Sequence, residues 1–117
     1  MKLNVDSSKQ LMQIVVDDAL FDNLKQQIEK DFILANITIK IPEKVSPIQL
    51  VALIREKMYY LMMEHFAEYL NLMYIIDIPE KDFQNIVITD TVDVSDQVTL
   101  LILKREYRKV WYRNRYQ

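Results

Sequence analysis

Apolar residues recur along most of this chain at helical spacing. Leu11, Ile14, Phe21, Leu24, Ile28 and Phe32 fall on one face of a helix. Ser7, followed three residues later by Gln10, makes a capping box ahead of that face. The pattern predicts a continuous or broken helix over about 7–34, firmest from Leu20 onward. The β-branched run Ile14-Val15-Val16 weakens it locally, and Asp17-Asp18 could cap a second start.

The period changes over residues 36–41. Ile37, Ile39 and Ile41 alternate with Thr38 and Lys40, as in a strand or an extended connection. Ile86-Val87-Ile88-Thr89 is a second run of this kind and could pair with the first. Between them, Ser46-Pro47-Ile48-Gln49 is the strongest helix start in the chain. Ser46 is an N-cap, Pro47 sits where its missing N–H costs nothing, and Gln49 completes the box. A long helix is predicted over 47–76. Asp77-Ile78-Pro79-Glu80 ends it and could cap a short helix over about 79–85. Ser95 reads as the start of the last helix, about 95–116.

On the long helix, Gln49, Glu56, Lys57, Tyr60, Glu64, Glu68 and Asn71 form one polar stripe about 120° wide. Nearly everything else is apolar, including Met58, Leu61, Met63, Phe66 and Leu70. A surface helix ordinarily hides a stripe of about 100° or somewhat more. This one needs cover on most sides, from the other helices or from a second copy of the chain against its Met/Tyr face. The expected fold is mainly α. It is a single domain over 1–117, a small bundle of about four helices around the long central one, with room for a minor two-stranded β element.

Composition narrows the chemistry. The 117 residues suffice for one core, and 50% of them are hydrophobic. No residue is Gly, where average usage of ~7% would give about eight. Phosphate-cradling P-loops, dinucleotide fingerprints and the G-x-S-x-G elbow therefore cannot be built. No residue is Cys, which removes disulfides, thiolate zinc sites and cysteine nucleophiles. The longest uncharged run, 45–54, is ten residues, well short of the ~18 a membrane span needs. With no apolar stretch of signal-peptide kind near residue 1, the expected compartment is the cytoplasm.

Charge is divided unevenly. Residues 104–117 carry six basic groups and one acid, a net of +5, whereas residues 1–103 carry nine basic groups and sixteen acids, a net of −7. On the last helix Leu100, Leu103, Tyr107, Val110 and Trp111 make a narrow apolar seam, beside a face of Lys104, Arg105, Arg108, Tyr112 and Arg115. Arg and Tyr so interleaved can anchor a protein partner, or neutralise phosphates and stack on bases. They can also pack against the acidic body. The partner-binding candidates are Arg105, Arg108, Trp111, Tyr112 and Arg115.

Glu64-His65-x-x-Glu68 is the one pattern that invites a metal. Di-iron bundles use the order Glu-x-x-His, twice, with two more inward glutamates; here the order is reversed and there is one His. Glu64, His65 and Glu68 are therefore weak candidates, and neither a metal nor a cofactor is expected. Arg55 projects away from the polar stripe and would need a helix C-terminal carbonyl, an acid of the first helix, or solvent. The leading expectation is a non-catalytic interaction or assembly protein that self-associates as a dimer through apolar helix faces. A small nucleic-acid-associated or regulatory factor using the basic helix, and a metal or ligand carrier near His65, are the alternatives.

Overall fold

The computed structural model describes residues 3–116 and, among them, six helices and no strand. Ser7 Oγ accepts from the Gln10 N–H at 3.2 Å and opens α1 (Ser8–Asp17). α2 (Phe21–Leu34) follows, and starts without a side-chain cap. The Ser46–Gln49 box is formed in both directions and opens α3 (Pro47–Glu64). α4 (Phe66–Ile76) and the single turn α5 (Glu80–Phe83) come next. Asp90 Oδ1 accepts from the Asp93 N–H at 2.8 Å and opens α6 (Thr91–Arg115).

A chain without glycine still needs left-handed residues to stop its helices. Ala19 and Asn36 fill that position after α1 and α2, each at φ 58°. Leu20 N–H reaches the Val15 carbonyl and Ile37 N–H the Phe32 carbonyl, the long bonds of a Schellman ending. Both ends bury the apolar pair that accompanies such a stop, Leu20 with Val15 and Ile37 with Phe32. Asp77, at φ 66°, ends α4.

The structure corrects four expectations. The long helix is broken at His65, whose φ −144° and ψ 60° are not helical. Unbroken, it would run about 45 Å, longer than the molecule's largest dimension of 37 Å. The break lets α4 pack on α2, α3 and α6, which supplies the cover the apolar cylinder needed. The first helical region takes the broken form of the two expected, and with the break at His65 six helices stand where about four were expected. The last helix starts at Thr91, one turn before Ser95. Ser95 is an interior residue instead, buried, with its hydroxyl donating to the Thr91 carbonyl at 2.6 Å.

The two strand-like runs do not pair. Ile37 is buried and Ile39 and Ile41 pack on the core, but their backbone is an extended connection. Val87 finds its partner on α6, where the Gln97 side-chain amide accepts from its N–H and donates to its carbonyl, both at 2.8 Å. One side chain thus satisfies both peptide groups that a neighbouring strand would have paired.

α6 organises the whole. Its 25 residues give it a length of about 37 Å, matching the long axis, and it packs against α1, α2, α3 and α4. Val98, Ile102, Leu103, Tyr107 and Val110 enter the core from one side, meeting Leu24, Ile28 and Phe32 of α2 and Leu50, Ile54 and Met58 of α3 in the same cluster.

Candidate functional site

α2 and α6 run side by side, and the polar groups between them form a ladder. Lys109 Nζ donates to Asp31 Oδ2 at 2.7 Å and lies 3.0 Å from Glu106 Oε1. One turn along each helix, Arg113 donates to Gln27 Oε1 at 2.6 Å, and Gln27 Nε2 donates to Asp31 Oδ2 at 3.2 Å. Glu106 is 0% exposed, and neither of its oxygens accepts a well-directed hydrogen bond.

Burial first, and then its hydrogen bond with Asp31, push the Glu106 carboxyl up to about 9. It is a neutral acid at pH 7 and donates to Asp31. Burial also opposes ionisation of Asp31, but the hydrogen bonds from Glu106, Lys109 and Gln27 outweigh it and hold Asp31 below its ordinary range. The pair shares one negative charge, which Lys109 balances.

A second polar tie joins the α1–α2 corner to α6. The buried Tyr107 hydroxyl donates to the Asp18 carboxylate. Burial first, then that carboxylate, push the phenol above its usual range. Asp18 is thus the C-cap of α1 and an acceptor for Tyr107, not the cap of a second start.

These ties account for much of the basic tail. Arg105 donates through Nε to the Asp77 carbonyl at 2.9 Å and lies 3.4 Å from its carboxylate, clamping the left-handed end of α4. Of the five partner-binding candidates, Arg105, Arg108 and Trp111 are half-buried, and Tyr112 and Arg115 are exposed. The Arg115 guanidinium lies 5.1 Å from the Trp111 ring centre, and Tyr112 meets Trp111 edge-on. Trp111, Tyr112 and Arg115 therefore form one cluster at the end of α6, with Arg108 a turn behind. Arg105 is drawn off to α4. Lys104 and Arg108 make no ion pair among the described residues.

His65 stands at the α3–α4 break, with Nδ1 3.0 Å from Glu68 Oε2 and Nε2 2.9 Å from the Tyr60 hydroxyl. Glu64 is exposed and joins neither. Among the described residues no three His, Cys, Asp or Glu side chains converge as a metal would require. Arg55 finds Asp96 of α6 at 3.7 Å rather than an acid of α1.

Two apolar surfaces lie open. A groove of about 630 Å³ separates α1 from α3, floored by Met12, Val16, Ile48 and Val51, with Lys9 and Arg55 at its rim. On α4, Phe66, Leu70 and Tyr74 repeat every fourth residue and are 56%, 53% and 82% exposed. Met63 at the end of α3 is also exposed. No described helix is long and apolar enough to cross a membrane.

Sequence reasoning missed the Asp31–Glu106–Lys109 cluster, although its signal was present. Glu106 follows Leu103 by three residues and precedes Val110 by four, which places a carboxyl inside the apolar seam. Asp31 stands three residues after Ile28 on the apolar side of α2. Comparison with known proteins finds no matching family model, no significantly similar curated protein and no significantly similar solved structure.

Proposed function

We propose that this protein is a non-catalytic assembly protein of the cytoplasm that self-associates through the apolar stripe of α4. The observation that carries the reading is the stripe itself, Phe66, Leu70 and Tyr74 on one helix face with more than half of each side chain in water. Covering a Phe or Leu side chain is worth about 1.5–3 kcal/mol, so three such side chains with Met63 make the rudiment of an interface core. The test is the solution mass across a concentration range. The chain weighs 14.1 kDa, and sedimentation should give a larger mass that falls to the monomer in Leu70→Glu with the thermal transition unchanged. A wild-type monomer up to about 1 mM, where only ~4 kcal/mol of binding is needed, defeats the reading.

A second reading, a nucleic-acid-associated factor, draws on Lys104, Arg108 and Arg115 lying with Trp111 along one side of α6. Cations and an indole so placed suit phosphates and a stacked base. Salt-dependent binding of a mixed-sequence single-stranded oligonucleotide would favour it over self-association.

A further inference from the structure

The groove between α1 and α3 belongs to neither surface used above, and its two ends differ in chemistry. α3 runs antiparallel to α6, since Arg55 meets Asp96 and Tyr59 lies beside Val92. α1 ends at Asp18, which is held by Tyr107, eleven residues along α6 from Asp96, or about 16 Å. Val16 therefore stands at the end of the groove away from Arg55. Ser8 and Lys9, which line the groove with Arg55 and Asp96, stand at the near end. Seven residues separate Lys9 from Val16 on one wall and Ile48 from Arg55 on the other, about 10 Å each. Met12 and Val51 lie between. The groove thus grades from cationic to apolar along its length.

The cationic end has charge to spare. Asp96 is the one acid among the lining residues, and it meets Arg55 at 3.7 Å. Lys9 is exposed and makes no ion pair among the described residues. The apolar end is open to water, with Ile48 76% and Val16 47% exposed. The volume of about 630 Å³ falls within the range of small-molecule sites, which are mostly apolar with a few placed polar groups. A stable protein partner would need about 800 Å² on each side, from about 20–30 residues. Four apolar side chains supply little of that, but they line a single hydrocarbon chain from end to end.

We propose that this groove binds a single-chain anionic amphiphile, a medium-chain carboxylate. Its head lies between Lys9 and Arg55, and its tail runs past Met12 and Val51 to Val16 and Ile48. The site is separate from the α4 stripe and does not depend on self-association. Charge selects the head group. A carboxylate gains charge-assisted hydrogen bonds from the ammonium and the guanidinium, an alcohol gains weaker ones, and a quaternary ammonium is repelled.

Calorimetric titration of the full chain with decanoate, kept below its micelle concentration, tests the proposal. Binding should saturate at one ligand per chain, with a Kd below about 1 mM. Octanoate, two methylenes shorter, should bind about 15-fold more weakly. Decanol and decyltrimethylammonium should each bind at least ~10-fold more weakly than decanoate. Lys9→Glu should weaken decanoate at least ~10-fold, and Ile48→Glu should abolish its binding by setting an acid in the path of the tail. Both positions are exposed, so neither change should move the thermal transition. The three head groups are compared on the unaltered chain, which tests the cationic end without any variant.

Absence of saturable binding overturns the proposal, and so does equal affinity for decanoate and decanol. Decanoate binding that both variants leave unchanged places the ligand elsewhere and overturns it too. A dimer dispersed by Ile48→Glu and left intact by Leu70→Glu would give the groove to a second copy of the chain, against this proposal.

Discussion

Glu106 sets the pH dependence of this fold. Its carboxyl lies above its ordinary value of 4.5, at about 9. Between those values the folded chain holds a proton that the unfolded chain has released. Stability that is complete below 4.5 is therefore lost as pH rises toward 9, by up to about 1.4 kcal/mol per unit. Asp31 has the opposite sign: its contribution is present above its ordinary 3.8 and disappears as pH falls through its lowered value. The maximum should fall on the mildly acidic side of neutral. Glu106→Gln keeps a donor for Asp31 and removes the alkaline loss. Its stability advantage over wild type should grow steadily between pH 5 and 9 in urea unfolding. Parallel curves would mean that Glu106 is ionised in the fold. The residue escapes a reading by composition because it is the lone acid among six bases, and local charge says nothing about which way a side chain faces. Its phase against Leu103 and Val110 does. The left-handed stops were half legible in the same way. A chain with no Gly favours Asn there, as at Asn36, but nothing in the sequence marks Ala19 for a conformation that Cβ disfavours.

At the scale of elements, the starts at Ser7 and Ser46 were legible, and neither the start of α6 nor the interruptions were. The Ser46–Gln49 box forms in full where the sequence put it, whereas at Ser7 only the cap forms and the Gln10 side chain accepts from the Asp6 N–H instead. The break at His65 has no Pro or Gly to announce it. It follows from packing, since a straight helix over 47–76 would leave its far end without neighbours. The helical phase of α3 nevertheless survives up to the break. Leu61 is buried at 2% exposure, and Glu64, three residues on, lies in water. Leu61→Asp should cost at least about 3 kcal/mol, since it buries an unpaired charge in the core. Glu64→Ala should change stability by no more than about 0.5 kcal/mol. Urea midpoints of the two variants measure the contrast, and equal effects would mean that the phase is wrong. The strand-like runs misled for a related reason. Alternation of Ile37, Ile39 and Ile41 records one side facing the core, and an extended segment lying on helices meets that condition without a partner strand.

For the molecule as a whole, the organising helix is α6 and not the 47–76 region that looks most hydrophobic. Hydrophobicity ranks how much cover a helix needs, whereas the number of neighbours depends on where the chain puts it, and among the described helices only α6 is long enough to match the 37 Å extent. Its basic end is consequently a structural part before it is a binding surface. Tyr107 holds Asp18 at the α1–α2 corner, Lys109 holds Asp31 of α2, and Arg105 holds Asp77 at the end of α4. About one and a half turns of one helix thus tie down three separate places in the chain. Ending the chain after residue 103 removes all three ties together with the buried Val110 and Glu106. It leaves Asp31 facing the core without a cation, a loss of several kcal/mol against a total stability of about 5–15. The truncated chain should show no cooperative thermal transition by circular dichroism. Of the described residues, a chain ending at Arg115 loses only the exposed Tyr116, and it should melt as the full chain does. Were the shorter chain to melt cooperatively near the wild-type temperature, the ladder between α2 and α6 would be decoration, and the basic helix end would be free to act as a ligand arm alone.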